Sequence, residues 1–162
     1  CAKRYRIGVD RQLSAAWIHS RPEFAGDISD EDFCTLMQSI DAAAYRGKNL
    51  RLSAELKAVD VEGAVTIWFR IDGPSGQLRF ENLERFRNDG PISGNTDWTK
   101  RQIVLDVPQD AKTINYGFFL KGQGRGFARN FALDEVDEQT PVGASGGHAL
   151  EAPTNLGFLD VA

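Results

Sequence analysis

The sequence predicts an all-β domain, an antiparallel β-sandwich. The first observation is period-two alternation. Leu50, Leu52, Ala54 and Leu56 alternate with Arg51, Ser53, Glu55 and Lys57, and Val65, Ile67, Phe69 and Ile71 alternate with Thr66, Trp68, Arg70 and Asp72. The second is punctuation: the runs are short and are broken by Gly, Pro and Asp, as at Asp72-Gly73-Pro74-Ser75-Gly76 and Pro108-Gln109-Asp110-Ala111. The third is the lack of any long amphipathic helix or strand–helix alternation, which argues against an open parallel sheet.

Taken in order, Ala15-Ala16-Trp17-Ile18-His19 reads as a strand. Arg21 to Asp32, rich in Asp, Glu, Gly and Pro, reads as a mobile loop. Phe33 to Ile40 is the next strand, and Asp41 to Tyr45 can close one helical turn. Separate strands follow at Leu50–Lys57 and Val61–Asp72. The turn at Gly73-Pro74 leads into a partner strand, Gln77 to Leu83. Arg85 to Asn95 is a loop, and a strand starting at Trp98 carries Ile103, Leu105 and Val107. Thr113–Lys121 and Phe127–Val136 are strands joined by a Gly122-Gln123-Gly124-Arg125-Gly126 turn. That makes roughly eight strands. The expected core is Leu50, Leu52, Leu56, Val65, Ile67, Phe69, Ile71, Ile103, Leu105 and Phe118.

A chain of 162 residues with 41% hydrophobic and 26% charged residues fits one soluble domain able to bury a core. The net charge of −4 and the lack of a basic stripe argue against binding nucleic acid, and no apolar run is long enough to span a membrane. The cytoplasm is the expected compartment, or the cell exterior if Cys1 is the lipidated cysteine of an exported lipoprotein. Cys34, in the apolar run Phe33-Cys34-Thr35-Leu36-Met37, reads as a small buried hydrophobe; a disulfide with Cys1 stays open as the alternative, with nothing in the sequence to support it.

The chemistry concentrates on one strand face. A Trp beside an Arg and an Asp offers a stacking plate flanked by hydrogen-bonding groups. Placing neighbouring strands by alternation sets Glu55, Trp68, Arg70, Phe119 and Lys121 on outward positions, where they would line a groove with an aromatic floor and charged walls. The same charges also read as a solvated cross-strand ladder of Glu55, Arg70 and Lys121. Two functions follow. One is a non-catalytic module binding a sugar or small organic ligand through Trp68, Arg70, Phe119 and Lys121. The alternative is a small cyclase or isomerase in which Glu55, its pKa raised beneath the Trp, is the acid. His19 and His148 stand apart without metal-ligand spacing, and the Gly122–Gly126 run is a turn and not a phosphate cradle. Neither a metal nor a cofactor is expected.

Several pieces, in order, carry a resemblance. They are Tyr5-Arg6-Ile7-Gly8-Val9-Asp10, Thr35-Leu36-Met37-Gln38, Tyr45-Arg46-Gly47-Lys48, Trp68-Phe69-Arg70-Ile71-Asp72-Gly73, Gly94-Asn95-Thr96-Asp97-Trp98 and Leu105-Asp106-Val107-Pro108. Together they resemble an all-β domain of bacterial proteins, often found beside helix-turn-helix regulatory domains. It is similar to the galactose-binding jelly roll shared by many carbohydrate-binding modules. The resemblance covers about Tyr5 to Asp137 and implies a fold and a ligand-binding habit, not an activity. The family's last strand usually carries a Trp and paired Asp residues where this chain has Phe127-Ala128-Arg129-Asn130, which removes oxygen ligands a calcium site would use. Pro153-Thr154-Asn155-Leu156-Gly157-Phe158 resembles the opening strand of such a domain. The organisation expected is therefore a jelly roll over residues 1–137, a linker or arm over 138–153, and a strand over 154–162 that completes the sheet in its own chain or in a homodimer.

Overall fold

A computed structural model describes residues 1–137. The arm, the terminal strand, the homodimer contact expected through it, and His148 all fall outside these residues. The described part holds eight antiparallel strands: β1 (Tyr5–Asp10), β2 (Ala15–Ser20), β3 (Phe33–Asp41), β4 (Asn49–Gly73), β5 (Gly76–Glu81), β6 (Ile92–Asp106), β7 (Thr113–Lys121) and β8 (Arg125–Val136). Helical structure among the described residues is limited to 3₁₀ turns at Pro22–Asp27 and Ala43–Tyr45. No helix there is long and apolar enough to cross a membrane.

The strand β4 organises the sandwich. Its first half, in antiparallel register from Asn49 to Val59, runs between β8 and β6; its second half, from Ala64 to Gly73, runs between β7 and β5. One layer is thus β1-β2-β8-β4-β6 and the other β3-β7-β4-β5. The two halves, expected as separate strands, are continuous through a kink where the register with β6 slips repeatedly between Leu56 and Val65. Asp60 takes a left-handed φ of 53° there, and its N–H donates to Asn95 Oδ1 at 3.1 Å. The kink also shifts parity. Even-numbered Leu50, Leu52, Ala54, Leu56 and Ala58 face the core before it, and odd-numbered Val61, Val65, Ile67, Phe69 and Ile71 face the core after it.

All ten residues expected in the core are buried, joined by Ile18, Ile114, Tyr116, Phe131 and Leu133. The hairpin turn is where the Gly-Pro signal put it, with Gly73 paired to Gly76 and Gly76 at φ 123°.

Two expectations are corrected, and one strand is added. Tyr5–Asp10 is an edge strand paired to β2, although its sequence gives no clean alternation: Tyr5 is buried and Ile7 exposed. Arg21–Asp32 is not a free loop. Arg4 Nη1 bonds Asp32 Oδ1 at 2.7 Å, the Tyr5 hydroxyl donates to the Asp32 carbonyl at 3.1 Å, and the Gln123 amide donates to the Ala25 carbonyl at 3.0 Å. Cys34 is buried as expected but is not a free thiol. It is bonded to Cys1, with Cα atoms 4.8 Å apart, which pins the chain start to β3.

Candidate functional site

The outward face of the second layer carries the site. Antiparallel register places Trp68 opposite Gly117 on β7 and Gly117 opposite Met37 on β3; one step along, Thr66, Phe119 and Thr35 align in the same way. A Cβ at position 117 would run into the Leu36 carbonyl oxygen, so only glycine fits. The Trp68 indole N–H reaches past Gly117 and donates to Thr35 Oγ1 at 2.8 Å. The tryptophan is therefore fixed by a hydrogen bond to a strand two places away and is only 7% exposed.

A groove of about 390 Å³ opens over this floor, within the size range of small-molecule sites. Trp68 and Phe119 form its base, and Phe33, Met37 and Phe80 its apolar walls. The Phe33 and Phe119 rings meet tilted, with centroids 5.9 Å apart. Five large hydrophobic residues are exposed among those described, and three of them, Phe33, Met37 and Phe80, converge here.

Charged groups close the two ends. At one, the Arg70 guanidinium lies 5.8 Å from the Trp68 ring centre and is held by Asp72 Oδ2 through Nε and Nη2, each at 3.1 Å. Asn115 Nδ2 also donates to that oxygen at 3.0 Å, and Ser39 Oγ donates to Asn115 Oδ1 at 2.6 Å. At the other end, Lys121 stands between Glu31 and Glu84 at 3.6 and 3.8 Å. The wall holding Asn82 and Glu84 is set by Glu81, whose carboxylate accepts from the Asn82 and Leu83 N–H groups. Leu83, fully buried, sits at φ 66°. Glu31 is brought to the rim by the tethered segment before β3.

The structure therefore brings Trp68, Arg70, Phe119 and Lys121 to one groove. Glu55 is not among them. The crossing of β4 between layers explains its absence: Glu55 and Trp68 both point outward, but from opposite layers, so they face opposite sides of the sandwich. The Glu55 carboxylate accepts from Arg129 Nε at 2.9 Å and Asn130 Nδ2 at 3.1 Å. These bonds, Arg129 foremost, hold its carboxyl below the usual range, the reverse of the raised value expected for an acid. The expected cross-strand ladder of Glu55, Arg70 and Lys121 is split in the same way. Phe33, Met37, Phe80, Glu31, Thr35, Asn82 and Glu84 complete the lining and were not singled out from the sequence. For β3 the signal was present, since Phe33, Thr35 and Met37 share one face by alternation; Asn82 and Glu84 follow a strand end and give none. Among the described residues no cluster of His, Cys, Asp and Glu could hold a metal ion.

The fold is a jelly-roll β-sandwich, shared with carbohydrate-binding modules of known structure. A solved structure of a family 4 carbohydrate-binding module superposes at TM-score 0.52 with 17% identity, over 82% of this chain and 78% of that one. The Clostridium thermocellum xylanase 10B modules CBM22-1 and GH10, complexed with xylohexaose, superpose at TM-score 0.55 with 11% identity, over 92% of this chain and 26% of that one. No protein-family model matches the chain. In sequence it is 33% identical over 161 residues to YbfP of Bacillus subtilis (strain 168), described as an uncharacterized HTH-type transcriptional regulator; the match covers 96% of this chain and 52% of that protein. The chain thus spans about half the length of that relative.

Proposed function

We propose that this chain is a ligand-binding module, and that the groove over Trp68 and Phe119 holds a small organic molecule or a short sugar. The observation that carries the reading is the convergence of three exposed apolar side chains and two cations on a floor whose tryptophan is hydrogen-bonded in place. Exposed apolar side chains gathered in one concavity, with charged groups at its ends, are the usual anatomy of a small-molecule site.

Likeness to half of an HTH-type regulator supports a place for the module in regulation. In that arrangement the module senses an effector and a separate domain reads DNA, so the module acts in the compartment that holds the DNA. The described residues contain only short 3₁₀ turns besides strands, and none of them forms a DNA-reading helix.

A thermal-shift and calorimetric screen of oligosaccharides and small organic compounds tests the reading. Any hit should lose about 1–3 kcal/mol of affinity in Trp68→Ala, the usual cost of truncating a central aromatic contact. Hits that bind Trp68→Ala and wild type equally would place the ligand elsewhere.

A further inference from the structure

The middle of the groove offers a ligand almost no free hydrogen-bonding group. The Trp68 N–H is spent on Thr35 Oγ1, and the Thr35 hydroxyl donates onward to the Phe118 carbonyl at 3.0 Å. The Thr66 hydroxyl is fully buried and donates to the Asn82 carbonyl at 2.9 Å. What remains open in the centre is ring and thioether surface from Trp68, Phe119, Phe33, Met37 and Phe80.

Polar capacity lies at the ends and in the Asn82 side-chain amide on one wall, and the charges at the ends are already matched. Asp72 engages one edge of Arg70, and Asn115 orients Asp72. Lys121 has carboxylates on two sides, both beyond hydrogen-bond length, so its ammonium can still donate to a neutral oxygen. An incoming carboxylate would meet Glu31 and Glu84 at one end and Asp72 at the other. A glycan ring carries hydroxyls around its whole rim, and over this centre those near the floor would lose water without gaining partners.

We infer that the groove takes a neutral, flat, mainly apolar ring compound with a hydroxyl or carbonyl at its edge, in preference to a glycan chain or an organic anion. This rests on the reading of the groove as the ligand site. The apolar body lies on Trp68 and Phe119, and the edge oxygen accepts from Lys121 or from the free side of Arg70.

Calorimetric titration with three probes tests it: 2-naphthol, its anionic counterpart 2-naphthoate, and xylohexaose. The wild-type protein should bind 2-naphthol saturably at one site, bind 2-naphthoate at least about tenfold more weakly, and give no heat with xylohexaose. Met37→Ser and Phe80→Ser alter side chains that are 44% and 45% exposed, so both variants should keep the wild-type melting temperature. Each should weaken 2-naphthol about five- to tenfold. Binding of 2-naphthoate as tight as that of 2-naphthol would overturn the inference. So would binding of xylohexaose that is lost in the two variants, although the groove would then stand as the ligand site. Binding of 2-naphthol unaffected by either variant, or binding of none of the three probes, would overturn the inference and count against the groove itself.

Discussion

Acidification should destabilise this protein through one histidine on the side of the sandwich opposite the groove. His19 lies on β2 with its ring stacked on Trp17, centroids 4.2 Å apart and planes at 27°, and with Phe127 edge-on at 5.4 Å. Register places Arg125 of β8 on one side of it and Arg6 of β1 on the other. Among the described residues no carboxylate forms an ion pair with it, and Arg125 lies 3.9 Å from Asp60. Its Nε2 is buried without a hydrogen-bond partner. Burial first, and Arg125 second, push the imidazole down from 6.5 to about 4.

The sign follows directly. Between pH 6.5 and 4 the unfolded chain takes up a proton at this site and the folded chain does not, so stability is full above 6.5 and drains away as pH falls toward 4. The full difference, 6.5 minus 4, corresponds to about 3.4 kcal/mol at 1.36 kcal/mol per pH unit. The ring keeps partial contact with water, so a measured loss of about 1.5–2.5 kcal/mol is expected.

Urea unfolding of wild type and His19→Phe across pH 7.5 to 4 provides the assay. Phenylalanine keeps the stack and, because Nε2 has no partner, gives up no hydrogen bond there. Carboxylates titrate in both proteins, so the difference between the two stability curves isolates the histidine. Parallel curves, or an NMR titration of His19 with a midpoint above pH 6, would refute the reasoning.

Three further outcomes are expected. Gly117→Ala should cost at least about 2 kcal/mol in urea unfolding, because the added methyl meets the Leu36 carbonyl and must push β3 from β7; an unchanged midpoint would mean the strands part freely. Breaking the Cys1–Cys34 bond, by reductant or Cys34→Ser, releases a link between residues 33 apart. Loop-closure entropy sets the loss at about 3–4 kcal/mol, or roughly 7–14 °C in melting temperature for a domain of this size, and a reductant-insensitive melt would contradict it. Glu55→Gln should leave ligand affinity unchanged and cost under about 1 kcal/mol of stability, as a half-exposed ion pair does; loss of binding would return Glu55 to the site.

Much of the fold was legible because a half-buried strand writes its burial into every second residue. Leu50, Leu52 and Leu56, and then Val65, Ile67, Phe69 and Ile71, announced two core faces that the structure bears out. Trp68 and Arg70 stood out for the same reason, as large or charged groups on the off-beat of a core strand. Alternation, however, is a local signal. It separates inward from outward within one run and carries no information on which way another run's outward face points. The sequence reading set Glu55 beside Trp68 on that incomplete basis. The kink at Asp60 carries β4 from one layer to the other, and packing of the two core faces turns their outer faces apart. Which strands neighbour Trp68 was likewise a long-range choice. Phe33 and Met37 arrive through β3 pairing with β7, and Phe80 through the return of β5. The sequence by itself determined the strands and the side chains that would face out of them. Tertiary structure decided which outward side chains meet, because strand order and the crossing of β4 are settled by burying both core faces at once.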